Sequence, residues 1–535
     1  MTKRIVALSG PVSVGKTTLA ERLVERFSAH RLSTRRLLEE RLDASRPPTR
    51  QQLQRLGDQL DRETQFRWLS EAVARHAAQL PADAVVVVDS VRRLDQIDRF
   101  REGFGRRVTH VHLRASEAEL TARYEARKGR LDVVEFGRYE EVRRNRTERQ
   151  VQLLAEQADV VIDTDRNELE DTVVRVASHI GLTGRDPGKP VDVILGGQYG
   201  SEGKGHLAFH LAPEYEYLMR VGGPNAGHQV IWPNGSIYTH RLLPSGTLAG
   251  EATLLLGPGA VLDVELLLRE IADCQVDAQR LSIDPQAMII DEQDREAERG
   301  LVRAIGSTGQ GGGAALLRRI GRDGSVALAK DVRALRPFVR STSEILEAAF
   351  AKGCRVLLEG TLGTALSLYH GEYPFVTSRD TTVAGCLAEA GIPPTRVRKV
   401  VMVCRTYPIR VMSPQNGTSG SMKGEITWKE ISERSGLELD ALEGAEKGSV
   451  SGNQRRVGEF DWALLRKASV LNGPTDIALT FVDYLSATNR NARRYEQLDP
   501  ETIRFIEEVE RVAGAPVTLI STRFDARSII DRRAW

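Results

Sequence analysis

Gly196-Gly-Gln-Tyr-Gly-Ser-Glu-Gly-Lys-Gly-His206 follows the apolar run Val191–Leu195 and is answered further on by Val221-Gly-Gly-Pro-Asn-Ala-Gly-His228. Glycines let backbone N–H groups converge on an anion at little steric cost, and Lys204 adds a point charge beside them. The spacing is not that of a Walker loop, so the cradle is of another kind. For either segment alone, the bland alternative is a glycine-rich turn with a solvated lysine. Two in succession, the second closing on His228, favour phosphate binding. Around them, strand-like runs (Ala252–Leu256, Arg355–Leu358, Lys399–Cys404, Ile477–Phe481, Val517–Ser521) alternate with helical stretches such as Asp263–Asp273 and Glu501–Ala513. That alternation predicts an α/β domain around a mostly parallel sheet.

The logic also appears upstream. Arg4–Ser9 reads as a short buried strand, followed by Gly10-Pro-Val-Ser-Val-Gly-Lys-Thr17 and the amphipathic run Thr18–Phe27. Strand, loop and helix form the context a P-loop requires: amides from Gly10 to Gly15 and at Thr18 surround the phosphates, Lys16 reaches the outer ones and Thr17 binds Mg²⁺. Ala84–Asp89 is a second buried strand running into Asp89-Ser-Val-Arg92. Asp89 is expected to organise Mg²⁺ water and Arg92 to hold an acceptor phosphate, a strand-end salt bridge being the alternative. Ser33-Thr-Arg-Arg36, with Arg35, stands where nucleoside-monophosphate kinases hold their acceptor, and the arrangement resembles that superfamily. Arg107–Arg114 reads as another strand and Glu117–Arg130 as a helix. The stretch Arg138–Arg149 is either a lid over the transferred phosphoryl group or a solvated helix face.

Thr183-Gly-Arg-Asp-Pro-Gly-Lys-Pro190 collects glycines and prolines and reads as a linker. The expectation is therefore two P-loop-type nucleotide-binding α/β domains in tandem, 1–182 and 191–535, joined by 183–190, each around a mostly parallel sheet. In 535 residues, 75 basic residues face 73 acidic ones for a net charge of +2, which gives no field for a nucleic-acid partner. The four cysteines have neither zinc spacing nor a disulfide framework, as expected of a reducing, cytoplasmic compartment. No apolar run approaches the ~18 residues of a membrane span.

From Val191 onward the chain resembles the adenylosuccinate synthetase family. The resemblance rests on the two glycine segments and on Arg241-Leu-Leu-Pro-Ser-Gly246, Ile305-Gly-Ser-Thr-Gly309, Glu359-Gly-Thr-Leu-Gly-Thr364, His370-Gly-Glu-Tyr-Pro-Phe-Val-Thr-Ser378, Ser451-Gly-Asn-Gln-Arg-Arg-Val-Gly458 and Ser521-Thr522. It implies a ligase that joins L-aspartate to C6 of a 6-oxopurine nucleotide. The γ-phosphoryl group of GTP or ATP first moves to O6, and the aspartate amine then displaces phosphate, with Mg²⁺ on the phosphates. By the same resemblance His228 is the general acid and Lys204 neutralises the transferred phosphate. Gly227 offers its carbonyl to Mg²⁺. Asn225, Thr308, Arg322 and Thr377 contact the purine monophosphate, Arg322 from a neighbouring subunit, so a homodimer is implied. Ser451, Arg455 and Arg456 hold aspartate. Gly200, Glu202, Gly203, Gly205, Asp483 and Ser521 hold the triphosphate.

Five positions depart from the family pattern, among them Phe481, where a lysine customarily stands two residues before Asp483. Ser201 stands in place of the catalytic aspartate, which is also a Mg²⁺ ligand, and a serine hydroxyl is a poor base unless activated. Leu362 replaces the glutamine beside purine O6. Asn453 replaces an arginine of the aspartate loop, and Arg523 breaks a Ser-Thr-Gly-Pro run. One branch of the family, the phage enzymes that make the succinyl precursor of 2-aminoadenine nucleotides from dGMP, carries a small residue at the Ser201 position. That leaves IMP and GMP or dGMP as acceptors. A pseudoenzyme that senses nucleotides, with a regulatory P-loop ATPase domain, is the reading from a different class.

Overall fold

The computed structural model describes residues 3–42, 48–82, 84–127, 138–144, 146–182, 188–232, 234–322, 324–447, 452, 454–525 and 528–534. Ser451, Asn453 and most of the expected linker lie outside them. The chain divides into two compact units, Met1–Asp186 and Pro187–Trp535.

In the first unit five described parallel strands lie in the order His30–Leu32, Val85–Val88, Arg4–Ser9, Val108–Arg114, Val160–Asp163. Side chains on a strand alternate between faces, and here both faces are covered. Val6 and Leu8 pack with Leu19, Leu23, Val173 and Val176, while Ile5 and Ala7 pack on the other side with Leu69, Val73, Ile97 and Phe100. The tetravaline strand Val85–Val88 is buried throughout for the same reason. Of the expected helix Glu117–Arg130, Glu117–Arg127 is helical and residues 128–130 lie outside the described residues. In the stretch Arg138–Arg149 the described residues include the helical segments Tyr139–Arg144 and Arg146–Leu153, and residue 145 lies outside them.

The second unit is built on nine described strands, ordered Leu281–Ile283, Thr253–Leu256, Tyr217–Arg220, Val356–Gly363, Val191–Gly196, Val397–Arg405, Asp476–Thr480, Val517–Ser521 and Ile529–Asp531. All pairs are parallel except the last. Val191, Val193 and Leu195 belong to one core layer and Ile194 to the other. The strand expected at Arg355–Leu358 runs on to Gly363 with a register shift after Glu359, and Leu362 sits at φ +64 there. A left-handed leucine is sterically unfavourable, so the bulge is held by its surroundings and re-aims this side chain.

Glycine is required at position 10: φ is +135 and a Cβ would lie 2.3 Å from the Leu113 carbonyl oxygen. Gly10→Ala should therefore lower the stability of the N-terminal unit by about 1–3 kcal/mol. Chemical denaturation followed by hydrogen exchange of strand Arg4–Ser9 would show it, and an unchanged midpoint would contradict the packing described.

Candidate active site

The strand Val191–Gly196 lies at the middle of the large sheet, and its C-terminal end delivers residues 197–203 to the helix Lys204–Leu211. Gly203 enters the helix at φ 89 with no side-chain cap. The first-turn amides are thus left for an anion. Glu202 departs from its expected role as a triphosphate contact, because its carboxylate is fully buried and turned into the loop. It accepts from the amides of Gln198 (3.1 Å) and Gly200 (2.8 Å) and from Lys204 Nζ (2.6 Å). Thr480 Oγ1 donates to the Glu202 carbonyl at 2.7 Å, tying the loop to the next strand but one.

The two glycine segments meet at Gly205, where a Cβ would come within 2.7 Å of His228 Cβ. Only glycine lets the helix approach the strand His228–Ile231 so closely. His228 Nδ1 lies 2.5 Å from Glu359 Oε1. An ionised carboxylate only accepts, so the ring proton resides on Nδ1 and Nε2 is left to act on a ligand. Glu359 also accepts from the Ser245 amide (2.7 Å) and the Ser245 hydroxyl, and Arg220 stands 3.6 Å away. Burial alone would raise the Glu359 carboxyl, but the hydrogen bond from His228 and the Arg220 charge outweigh it and hold the group at about 2. Burial, then Arg220, depress His228 to about 4 against the opposing pull of Glu359. The ligand-free imidazole is therefore neutral near pH 7 and takes on acid character only when phosphate charge arrives beside it. The part played by Glu359 was not assigned from the sequence, although an acid closing the apolar run Val356–Leu358 at the carboxyl edge of a parallel sheet is a usable signal.

A cavity of about 410 Å³ brings together Ser201, Lys204, Gly227, His228, Arg455 and Asp483, with Gly203 and Gly205 in its wall. Asp483 Oδ1 is buried without a hydrogen-bond partner among the described residues, and Arg490 Nε approaches the other oxygen at 3.8 Å. Burial pushes the Asp483 carboxyl up to about 7. Arg405, 1% exposed, is a further resident that sequence reasoning passed over. It pairs with Glu446 at 2.6 Å, lies over the Phe481 ring and donates to the Ser201 carbonyl at 3.3 Å. Ser201 itself is exposed at φ 57.

A second cavity, about 370 Å³, holds Asn225, Leu362 and Thr377. Gly200 packs against the Leu362 backbone, where a Cβ would sit 3.5 Å from Leu362 Cα. Thr308 and Arg322 line neither cavity; Arg322 is exposed at the end of the helix Gly312–Gly321. Arg455 and Arg456, expected to act together, point to opposite sides of one strand, because neighbours on a strand alternate. Arg455 lines the larger cavity, whereas Arg456 is taken by Glu425 at 2.7 Å and by the Gly420 carbonyl at 2.8 Å. Ser521 is buried and donates to the Arg523 carbonyl at 2.9 Å; Arg523 and Phe524 are the residues of that turn that face the cavity.

In the N-terminal unit Lys16 Nζ donates to the carbonyls of Gly10 (2.7 Å) and Pro11 (2.8 Å), while Thr17 and Thr18 are exposed. Burial lowers the Lys16 ammonium, Arg92 and Arg50 add to that, and Glu148 and Asp89 oppose it. Asp89 corrects the expectation of a magnesium-water contact. Its Oδ2 accepts from Arg31 at 2.8 Å and its Oδ1 from the Thr34 amide at 3.1 Å, so the carboxylate is paired with the neighbouring strand and not with Arg92. Arg35 pairs with Glu39 at 2.6 Å and Arg92 with Glu148 at 2.5 Å, and both arginines line a small cavity. No helix among the described residues is long and apolar enough to cross a membrane.

Residues 193–330 and 325–490 match the sequence model of adenylosuccinate synthetase, and residues 5–165 match that of an AAA domain. Adenylosuccinate synthetase of Methanocaldococcus jannaschii is 39% identical over 351 residues, 64% of this chain and 96% of that protein. The enzyme of Pyrococcus horikoshii is 37% identical over 353 residues, 64% of this chain and 99% of that protein. Among solved structures, cyanophage S-2L succinoaminodeoxyadenylate synthetase bound to dGMP and dATP has a TM-score of 0.54 at 29% identity, covering 65% of this chain and 96% of that one. Fully ligated adenylosuccinate synthetase from Plasmodium falciparum shares the fold, with a TM-score of 0.55 at 21% identity over 64% of this chain and all of that one.

The buried group around Glu359 sets an acid limit. Glu359 falls from 4.5 unfolded to about 2 folded, so its contribution is complete above the unfolded value and is lost as pH falls through the folded one. His228 falls from 6.5 to about 4, so the unfolded chain takes up a proton first and stability also declines as pH drops below 6.5. Glu359→Gln should cost about 3–5 kcal/mol at pH 7, because Arg220 loses its buried counter-charge. It should also flatten the acid decline. Urea unfolding at several pH values checks both, and an unaltered profile would refute the network.

Proposed function

The chain belongs to the adenylosuccinate synthetase family, and from that membership we propose that its C-terminal domain joins L-aspartate to C6 of a guanine nucleotide, GMP or dGMP, in preference to IMP. The domain is a nucleotide-binding C–N ligase of purine biosynthesis. The choice of acceptor is carried by Ser201, a small exposed side chain in the cavity that also holds Lys204 and His228. A carboxylate there would fill the space that a purine 2-amino group needs. The dGMP held by the cyanophage neighbour favours the same reading.

In this mechanism the γ-phosphoryl group leaves the triphosphate for purine O6, and the β–γ bridging oxygen departs with the nucleoside diphosphate. The aspartate amine then bonds to C6, and inorganic phosphate leaves with O6. Lys204 and the first-turn amides of its helix hold the transferred group, and Nε2 of His228, oriented through Glu359, takes up the proton that N1 loses as O6 is phosphorylated and gives it up with the departing inorganic phosphate. Arg455 offers a planar fork to an aspartate carboxylate. Mg²⁺ is bound by phosphates, waters and one or two protein oxygens. The Ser201 hydroxyl and Gly227 carbonyl fit that demand, and among the described residues no group of three His, Cys, Asp or Glu side chains offers a cage of its own. When bound, the ion supplies charge neutralisation on the phosphates. Exposed Leu317 and Ile320 on the helix that ends at Arg322 support a homodimer in which Arg322 reaches the partner's nucleotide. The N-terminal unit is read as a separate phosphotransferase, with Lys16 and Thr17 at the donor phosphates and Arg35 and Arg92 at the acceptor.

Three measurements test these assignments. Wild type, given aspartate and a triphosphate, should ligate GMP or dGMP at least roughly tenfold better than IMP, and Ser201→Asp should reverse the order. Should wild type use IMP equally well, the account of Ser201 fails. If no nucleotide reacts until Ser201→Asp is combined with Leu362→Gln, the natural protein is a sensor.

Donor choice is read from pH. An Asp483 carboxylate accepts from guanine N1 and N2, so KM for GTP should rise as pH falls through about 7, the value to which burial brings this acid. A protonated Asp483 donates to adenine N1, and ATP use would change in the opposite sense. Lys16→Ala should abolish phosphotransfer or hydrolysis by the N-terminal unit while ligation continues; loss of both in a folded protein would mean that the sites are coupled.

A further inference from the structure

The small cavity beside Lys16 has a volume of about 140 Å³. That is close to the roughly 150 Å³ of an engineered cavity that takes benzene. It has room for one flat ring system, with the rest of a ligand at its mouth. Its lining includes two cations: Arg92 and Arg50 converge on Glu148 at 2.5 and 3.6 Å, and both are among the charges that act on Lys16. The walls include Leu38, Leu53 and Trp68.

The floor is polar in a particular way. Asp61 is 4% exposed and uses Oδ1 for two donors, Trp68 Nε1 at 2.8 Å and Gln96 Nε2 at 2.9 Å. Its Oδ2 faces Arg93 Nε at 4.0 Å, beyond hydrogen-bond reach. Arg93 Nη2 is taken by Asp58 at 2.6 Å, but Nε is buried without a hydrogen-bond partner among the described residues. Ser90 Oγ, on the same cavity, is in the same condition. An acceptor beside a buried donor, neither satisfying the other, is the complement of an N–H next to a C=O, and leaving such groups unmet is costly.

We propose that this pocket reads the lactam edge of a nucleoside monophosphate, the adjacent N–H and C=O of a 6-oxopurine or a 4-oxopyrimidine. Asp61 Oδ2 accepts from the ring N–H and Arg93 Nε donates to the ring carbonyl. Arg50 and Arg92 exchange Glu148 for the acceptor's phosphate, next to the donor held at Lys16. Adenine and cytosine present the reverse order: their amino group would meet the Arg93 donor and their bare ring nitrogen the Asp61 carboxylate. This inference rests on the phosphotransferase reading of the N-terminal unit. In the transfer, the donor's γ-phosphorus exchanges its β–γ bridging oxygen for a phosphate oxygen of the acceptor, giving two nucleoside diphosphates.

The test uses the full chain with ATP and without aspartate, so that ligation is silent, and follows diphosphate formation from GMP, IMP, UMP, dTMP, AMP and CMP. The lactam nucleotides should exceed AMP and CMP in kcat/KM by at least roughly tenfold, and Asp61→Asn or Arg93→Gln should erase that margin. Purine against pyrimidine within the favoured group identifies the ring. Equal or better use of AMP or CMP overturns the proposal, as does a margin that survives both substitutions. So does Lys16-dependent ATP hydrolysis without transfer to any monophosphate, which would leave the P-loop assignment standing. Absence of any Lys16-dependent turnover removes the phosphotransferase reading and this proposal with it.

Discussion

The ligase site depends on one carboxylate kept from water. Glu202 has no solvent exposure, and its oxygens gather two backbone amides and the Lys204 ammonium. Burying an ion pair costs more in desolvation than an exposed pair would, and it is tolerated when the remaining lone pairs are satisfied by donors, as they are here. The consequence is geometric: a loop dense in glycine, which would otherwise sample many shapes, is folded around a fixed charge. The strand neighbours conform to it, since a Cβ at Gly196 or Gly363 would come within 2.6 or 2.5 Å of the Glu202 carboxylate oxygens. Leu362, one residue before Gly363, is held in a left-handed conformation at the edge of the second cavity.

A second buried carboxylate does for His228 what Glu202 does for Lys204. Glu359 fixes the imidazole tautomer, and Ser245 and Arg220 in turn fix Glu359. Lys204 and His228 thus stand at a helix start and on a strand, with their orientation set by buried carboxylates behind them. Such support holds a reacting group within the small angular tolerance that catalysis needs.

Much of this was legible in the sequence. Strand–glycine loop–helix order located both glycine loops, and alternating apolar runs gave the parallel sheets, because those signals are local. What was not legible depends on contacts between distant segments. Glu202 looked like a phosphate contact because it sits in the loop, and only the three-dimensional course of residues 197–203 turns it inward. Asp89 read as a metal helper until Arg31, on the neighbouring strand, claimed it. Arg455 and Arg456 were adjacent in sequence and therefore opposed in space once the segment became a strand. Arg405 gave no sign at all, for its meaning lies in Glu446, Phe481 and the Ser201 carbonyl together.

Both units hold their cations on internal acceptors. Lys204 rests on Glu202, Lys16 on the carbonyls of Gly10 and Pro11, and Arg92 on Glu148. Phosphate binding is then an exchange of partners and not the filling of an empty charge. Exchange yields less net free energy than pairing a bare cation, because the displaced carboxylate or carbonyl must find water or another donor. It also discriminates: a weakly charged or badly placed anion does not repay the displacement, whereas a triphosphate that engages the helix amides at the same time does. If both loops bind phosphate as proposed, that threshold suppresses occupation by stray anions. On the readings proposed above, selectivity between the sites falls to the neutral and hydrogen-bonding groups around them, Ser201 and Leu362 in one and the Asp61–Arg93 pair in the other.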